Sequence, residues 1–397
     1  MNIKELNNLS EKNKKLAVGL MSGTSLDGVD AVLIEIKNSG VKTSINQLGF
    51  LTYPFPAGLK KKLLENSAIS SGNVTEICRL NFLISLIYAD AVKSLCKKSG
   101  IPINKIDFIG SHGQTIHHLP AKKKFYGYKF GSTLQIGDPG VIAKLTEILT
   151  IGDFRTGDIA LGGEGAPLVP YFDFIMFHSQ KINRALLNIG GISNITVLDK
   201  KGNASDVIAF DTGPGSMMID ICAKKFFNVD YDEGGKIALS GKVNEEFLFA
   251  LKQKDDFIEK ALPKSTGREY YGKKFLTPLL KKFKKMRHED IIAAITDFTA
   301  YAVLRNYEKF IKPGTEIEEL FVSGGGAKNK FLMKSLKKYL GKTVRISNVK
   351  NLGISADAKE AICFAVLANE TLSGNPSNIP GVTGASKPTV LGKICLP

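Results

Sequence analysis

The chain repeats itself. Apolar runs at residues 16–21 and 29–36 flank the turn Ser22-Gly23-Thr24-Ser25-Leu26-Asp27-Gly28, and a third run at 50–53 ends at Pro54. Roughly 170 residues later the order returns: runs at 184–189 and 194–198 flank Gly190-Gly191-Ile192-Ser193, and a third run, 207–210, leads into Asp211-Thr212-Gly213-Pro214-Gly215. Each copy reads as a hairpin, a third strand and a following helix. Two copies predict a duplicated, two-domain α/β protein with a cleft between its lobes. At 397 residues, the chain also exceeds what one core usually holds. The expected division is 1–152 plus about 378–397 for the first lobe and 153–377 for the second. A helix is expected from Asn73, with Glu76 completing a capping box, to the stop at Gly100.

Composition narrows the function classes. The net charge of +16 invites a nucleic-acid reading, but only seven of the 54 basic residues are Arg, the usual bidentate reader of bases and phosphates. The lysines are dispersed and Trp is absent, so a solvated lysine surface that attracts small anions is expected instead of a nucleic-acid site. No apolar stretch is long enough to span a bilayer, and residues 1–15 lack the apolar core of a secretion signal. Cys78, Cys96, Cys222, Cys363 and Cys395 are scattered and read as free thiols of a reducing cytoplasm. No membrane partner is expected.

Four loops after short strands are rich in Gly, Ser, Thr and Asp: 22–30, 190–194, 211–215 and 323–329. Glycine lets backbone N–H groups approach a phosphate, and hydroxyls add donors. One such loop is most simply a tight turn; four, paired by a repeat, point to phosphate binding. None has the P-loop spacing, and Ser323-Gly324-Gly325-Gly326 lacks the GxGxxG spacing. Carboxylates recur at strand ends or in the loops beside them, at Asp27, Asp30, Asp138, Asp153, Asp158 and Asp211. Phosphoryl transfer needs a carboxylate to take the nucleophile's proton and others to hold hydrated Mg²⁺. Asp211, after the apolar 207–210, is the best base. His112 in Ser-His-Gly-Gln either bonds a substrate hydroxyl or serves local structure. Arg155, between Asp153 and Asp158, either clamps a substrate or makes a structural ion pair. No zinc spacing occurs.

At these residues the sequence resembles the anhydro-N-acetylmuramic acid kinases, within the sugar kinase, heat-shock ATPase and actin superfamily. The resemblance runs from about residue 16 to the C-terminus. It is carried in order by Gly19-Leu20-Met21-Ser22-Gly23-Thr24-Ser25-Leu26-Asp27-Gly28-Val29-Asp30, Gly110-Ser111-His112-Gly113-Gln114-Thr115, Gly165-Ala166-Pro167-Leu168-Val169-Pro170, Leu187-Asn188-Ile189-Gly190-Gly191, Phe210-Asp211-Thr212-Gly213-Pro214-Gly215, Pro263-Lys264-Ser265-Thr266-Gly267-Arg268-Glu269 and Ser323-Gly324-Gly325-Gly326-Ala327.

The resemblance implies an actin-like (ribonuclease H-like) fold with ATP and Mg²⁺ in the cleft. Gly23, Thr24, Ser25, Leu26, Asp27, Gly28, Val29 and Asp30 form the first phosphate loop. Asn188, Gly190, Gly191, Gly213, Gly215, Gly324, Gly325 and Gly326 form the remaining nucleotide loops. Asp27 and Asp30 hold Mg²⁺ through water, and His112, Gln114, Arg155 and Asp158 face the sugar. Asp211 is the general base and Glu360 a second active-site carboxylate. The implied reaction opens a 1,6-anhydro sugar with water and phosphorylates its freed 6-oxygen, giving N-acetylmuramic acid 6-phosphate in cell-wall turnover; a homodimer is also implied. Two departures bear on the sugar: Gly157 stands where the family has Arg, and Glu164 where Gln is common. The segment 126–131 is an unusual insertion. The alternatives are a kinase for another anhydro sugar such as levoglucosan, and a non-enzymatic nucleotide-switched protein.

Overall fold

The computed structural model describes all residues except Thr24, Ser25 and Ala356, and the side chain of Asn351. It separates into two compact units, residues 1–176 with 357–397, and 177–356. These borders fall at 176/177 and 356/357, against 152/153 and 377/378 expected from the sequence. Three helices account for the difference: Phe154–Ala160 packs on the strand Tyr128–Ile136 and Lys359–Leu372 packs on the strands Lys14–Met21 and Phe108–Ser111, while Val169–Phe177 is tied to Lys359–Leu372 by the Tyr171–Glu370 bond at 3.1 Å and the Lys359–Asp173 pair at 2.7 Å.

Strands are numbered along the chain. In the first unit β1 (Lys14–Met21), β2 (Gly28–Lys37), β3 (Ser44–Pro54), β4 (Phe108–Ser111), β7 (Thr150–Gly152) and β13 (Lys393–Cys395) form a sheet of order β13-β7-β4-β1-β2-β3. β5 (Gln114–Phe125) and β6 (Tyr128–Ile136) form a separate hairpin turning at Tyr126-Gly127, so the segment 126–131 makes its turn and the start of β6. In the second unit β8 (Arg184–Ile189), β9 (Ile192–Leu198), β10 (Ile208–Pro214), β11 (Glu319–Ser323) and β12 (Arg345–Asn348) follow the order β10-β9-β8-β11-β12. In both sheets the first three strands pair antiparallel, and the first strand pairs in parallel with one that arrives after a long helix. The repeat read from the sequence is therefore a repeat of topology.

Helices Val74–Ser99 and Lys359–Leu372 cover the first sheet. The second of these lies so close that a Cβ at Gly19 or Gly110 would collide with the carbonyl oxygens of Ala361 and Phe364 respectively. Glycine is required at both positions for this approach, which sets the first turn of that helix, with Glu360, beside β1 and β2. At Asn73 the N-cap forms, its side chain accepting from the Thr75 and Glu76 N–H groups, but the expected reciprocal bond from Glu76 does not. Glu76 turns instead to Arg79 at 3.1 Å and Lys62 at 3.6 Å. In the second unit, helix His288–Asn306 packs on β10 and on Lys330–Leu340. Among the described residues no helix is long and apolar enough to cross a membrane, and all five cysteines are free thiols.

Candidate active site

In the first unit, His112 follows β4 and is buried against the Phe364 ring, centroids 4.6 Å apart. Arg155 Nε donates to His112 Nε2 at 3.0 Å, and Arg155 Nη1 donates to the Gly165 carbonyl at 2.7 Å. Because guanidinium only donates, Nε2 is the acceptor; Nδ1 carries the proton and donates to the Gly113 carbonyl at 2.9 Å. Burial, with the Arg155 charge beside it, pushes the His112 pKa down to about 3, so the ring is neutral. Arg155 makes no ion pair with its sequence neighbours: Asp153 pairs with Lys393 at 2.6 Å. Buried Gln114 accepts from Ser22 Oγ at 2.6 Å.

Asp158, expected at the sugar, is fully buried and saturated. It accepts from the Gly165 N–H at 2.8 Å, and from Asn378 Nδ2 and Thr383 Oγ1 at 2.7 Å each. It fixes the 163–165 turn against the C-terminal segment, and that turn in turn supplies the carbonyl that holds Arg155. Its contact with a ligand is therefore corrected to support of Arg155.

Asp30, the third residue of β2, lies opposite Met21 and accepts from Thr52 Oγ1 at 2.6 Å. Burial raises its pKa, the Thr52 bond opposes this, and the Asp357 charge adds to it. Glu360 is exposed, yet the protein around its carboxyl strips enough water to hold it above the ordinary range. Lys359 pulls it down, Asp30 pushes it up and Arg155 pulls it down. Asp27, expected to share Mg²⁺ with Asp30, is exposed and pairs with Lys60 at 2.9 Å. Among the described residues no three His, Cys, Asp or Glu side chains converge as a metal cluster. A hard-oxygen donor suits hydrated Mg²⁺; Asp30 offers a partly buried one and Asp27 an exposed one that pairs with Lys60. Leu26 and Val29 point into the core, and Val29 is in the β2–β3 ladder, so neither side chain can meet a phosphate. Thr24 and Ser25 lie outside the described residues.

In the second unit the expected loops come together. Gly191 O accepts from the N–H groups of Gly215 at 2.9 Å and Met217 at 3.2 Å, and Gly190 O accepts from Ser216 N–H at 2.7 Å. A Cβ at Gly215 would strike the Gly190 oxygen; one at Gly324 (φ +76°) would lie 2.6 Å from Ile189 O and 2.7 Å from Asn188 Oδ1. Gly191 and Gly325 are exposed, whereas Gly213, Gly215 and Gly326 are buried supports.

Asp211 lies where β10 bulges against β9, between Asp211 and Gly213. A bulge re-aims a side chain, which is why such irregularities collect at sites. Its Oδ2 accepts from the Thr266 N–H at 2.9 Å, and its own N–H donates to the Lys264 carbonyl at 3.3 Å. Burial lifts its pKa to about 6, the Thr266 bond opposing, Glu269 adding and Lys264 opposing. At neutral pH it is an ionised carboxylate basic enough to take a proton. The motif Pro263-Lys264-Ser265-Thr266-Gly267-Arg268-Glu269 assigns no role by itself to Lys264, Thr266 or Glu269; folding sets all three around Asp211.

The sequence model of anhydro-N-acetylmuramic acid kinase matches residues 15–397. The anhydro-N-acetylmuramic acid kinase of Caldanaerobacter subterraneus subsp. tengcongensis is 48% identical over 389 residues, 97% of this chain and 98% of its own. That of Bacillus cereus strain G9842 is 46% identical over 380 residues, 96% and 98%. Among solved structures, component A of (R)-2-hydroxyglutaryl-CoA dehydratase from Acidaminococcus fermentans is 12% identical with a TM-score of 0.45, covering 90% of this chain and 99% of that one. Near-complete coverage by relatives at almost half identity, with the motif glycines and Asp211 built as described, leaves one assignment: this chain belongs to the anhydro-N-acetylmuramic acid kinase family.

Proposed function

We propose that the chain is an ATP-dependent kinase that opens 1,6-anhydro-N-acetylmuramic acid with water and phosphorylates O6, yielding N-acetylmuramic acid 6-phosphate for peptidoglycan recycling. The observation that carries this is Asp211: a bulge-displayed carboxylate of raised pKa, held by one backbone donor. Asp211 accepts a proton from water as the water oxygen bonds to C1. The C1–O6 bond breaks with its electron pair on O6, and O6 bonds to the γ-phosphorus as ADP leaves. The backbone around Gly190, Gly191, Gly324 and Gly325, exposed at Gly191 and Gly325, serves the nucleotide; Gly23 and Gly28 do so as the resemblance implies. Mg²⁺, when bound through water at Asp30, supplies charge neutralisation of the phosphates. Arg155 and neutral His112 orient the sugar beside Glu360. The enzyme works in the cytoplasm as a homodimer.

A second reading, a kinase for an anhydro sugar without the lactyl acid, rests on Gly157 and Glu164. A Cβ at Gly157 would meet Leu391 and the Val390 carbonyl, both at 3.7 Å. A side chain there starts toward the C-terminal segment, which favours the muramic acid. Incubation with Mg-ATP and either sugar in ¹⁸O-water, followed by mass spectrometry, tests both readings. Phosphate plus one ¹⁸O in anhydro-N-acetylmuramic acid is expected. Turnover of levoglucosan alone installs the second reading, and turnover of neither sugar rejects both.

A further inference from the structure

Lys264 is a buried lysine that the reaction above does not use. Its Nζ donates to the Ile258 carbonyl at 2.7 Å and sits over Phe310 at 4.4 Å, Phe257 at 5.1 Å and Phe210 at 5.6 Å from the ring centroids; the Phe257 carbonyl lies at 3.4 Å. Among the described residues no carboxylate lies within ion-pair distance of it. Burying an unpaired ammonium is costly, and three ring faces and two carbonyls offset that cost only in part. A methionine or leucine would fill the same space without the penalty, so a charge kept here has work to do.

That work is visible in the backbone. Lys264 contributes the carbonyl that receives the Asp211 N–H, and two residues later Thr266 contributes the N–H that holds Asp211 Oδ2. The side chain thus anchors, in an aromatic cage, the short segment that grips Asp211 from both sides. We propose that Lys264 is the positioning residue of this site: its caged ammonium fixes the 263–269 segment on Asp211 and favours the ionised carboxylate. The inference rests on Asp211 being the base, the reading given above.

The surrounding charges define what the pH dependence reports. Burial lowers the Lys264 pKa to about 8; Glu259 opposes this, Lys309 adds to it, and Asp255 and Asp211 oppose it. Asp211 itself faces Glu269 and Lys264. Loss of the Lys264 proton therefore removes the cation as pH rises through about 8, and the anchor weakens.

Two variants test this in the full chain. Lys264→Met keeps the volume and removes the charge. It is expected to cut kcat at least tenfold with KM for ATP within twofold, and to move the Asp211 titration, read by ¹³C-carboxyl NMR, up by about one pH unit. Lys264→Arg keeps a charge that stacks on rings and does not titrate; it is expected to retain the acid limb and lose the alkaline limb near pH 8. A folded Lys264→Met with unchanged Asp211 titration and kcat overturns the proposal, as does a Lys264→Arg enzyme with the original alkaline limb. The NMR titration is read without turnover, so a shifted Asp211 in an enzyme that tolerates Asp211→Asn would reject the base assignment while keeping the role of Lys264.

Discussion

Arg155 Nε donates to His112 Nε2 at 3.0 Å, so an always-charged side chain dictates the tautomer of a buried imidazole. Its pKa of about 3 lies below the ordinary 6.5 because water is excluded and Arg155 is near. The unfolded chain binds this proton and the folded one does not between these values. Stability therefore falls as pH drops below about 6.5, by up to ~1.4 kcal/mol per pH unit from this group. Urea unfolding from pH 7 to 5 reads the slope. In His112→Gln this part of the slope is expected to vanish.

Asp211 has the opposite sign. Its folded pKa of about 6 exceeds the usual carboxylate value, so its ionised form destabilises the fold at neutral pH. Asp211→Asn is expected to abolish turnover, leave ATP affinity within about twofold, and raise stability by ~1–2 kcal/mol. In the wild type, kcat/KM falls as pH drops through about 6. Near-normal phosphorylation by the variant would remove Asp211 from its role.

The glycines of the second unit divide by what surrounds them. Gly215→Ala drives a Cβ into the Gly190 carbonyl and breaks the bonds joining the two loops. A loss of ~2–3 kcal/mol in stability and a large loss of ATP affinity are expected together. Gly325→Ala meets nothing within 4 Å, so its stability stays within ~0.5 kcal/mol while nucleotide titration shows weaker binding. Equal effects of the two on stability would contradict the geometry.

Gly110→Ala displaces the Phe364 carbonyl and with it the helix that carries Glu360. A loss of ~2–4 kcal/mol by denaturant titration, with reduced turnover in the folded fraction, is the expected result.

Much of this was legible in the residues. Periodicity and turn chemistry reveal the duplicated strand order, because hairpins and their glycine turns are local in sequence. The apolar run before Asp211 predicts a strand that ends there, whereas β10 continues to Pro214 and presents Asp211 at a bulge. What escaped was non-local. Asp158 looks like any loop carboxylate until Asn378 and Thr383, more than two hundred residues away, close on it. Asp27 sits beside Asp30 in the sequence but turns to Lys60. Lys264 is one lysine among many; only folding gathers Phe210, Phe257 and Phe310 around it. The domain border also depends on where the 359–372 helix packs, which no local pattern states.

The first sheet is laid down early in translation, but one of its two covering helices and its edge strand β13 are encoded after residue 356. On the ribosome, the 177–356 unit is complete and continuous while its predecessor still exposes Gly19 and Gly110 without the backbone that belongs on them. Nascent chains halted short of that point will therefore carry an open apolar sheet face and depend on chaperones, and the half made first will be the last to mature.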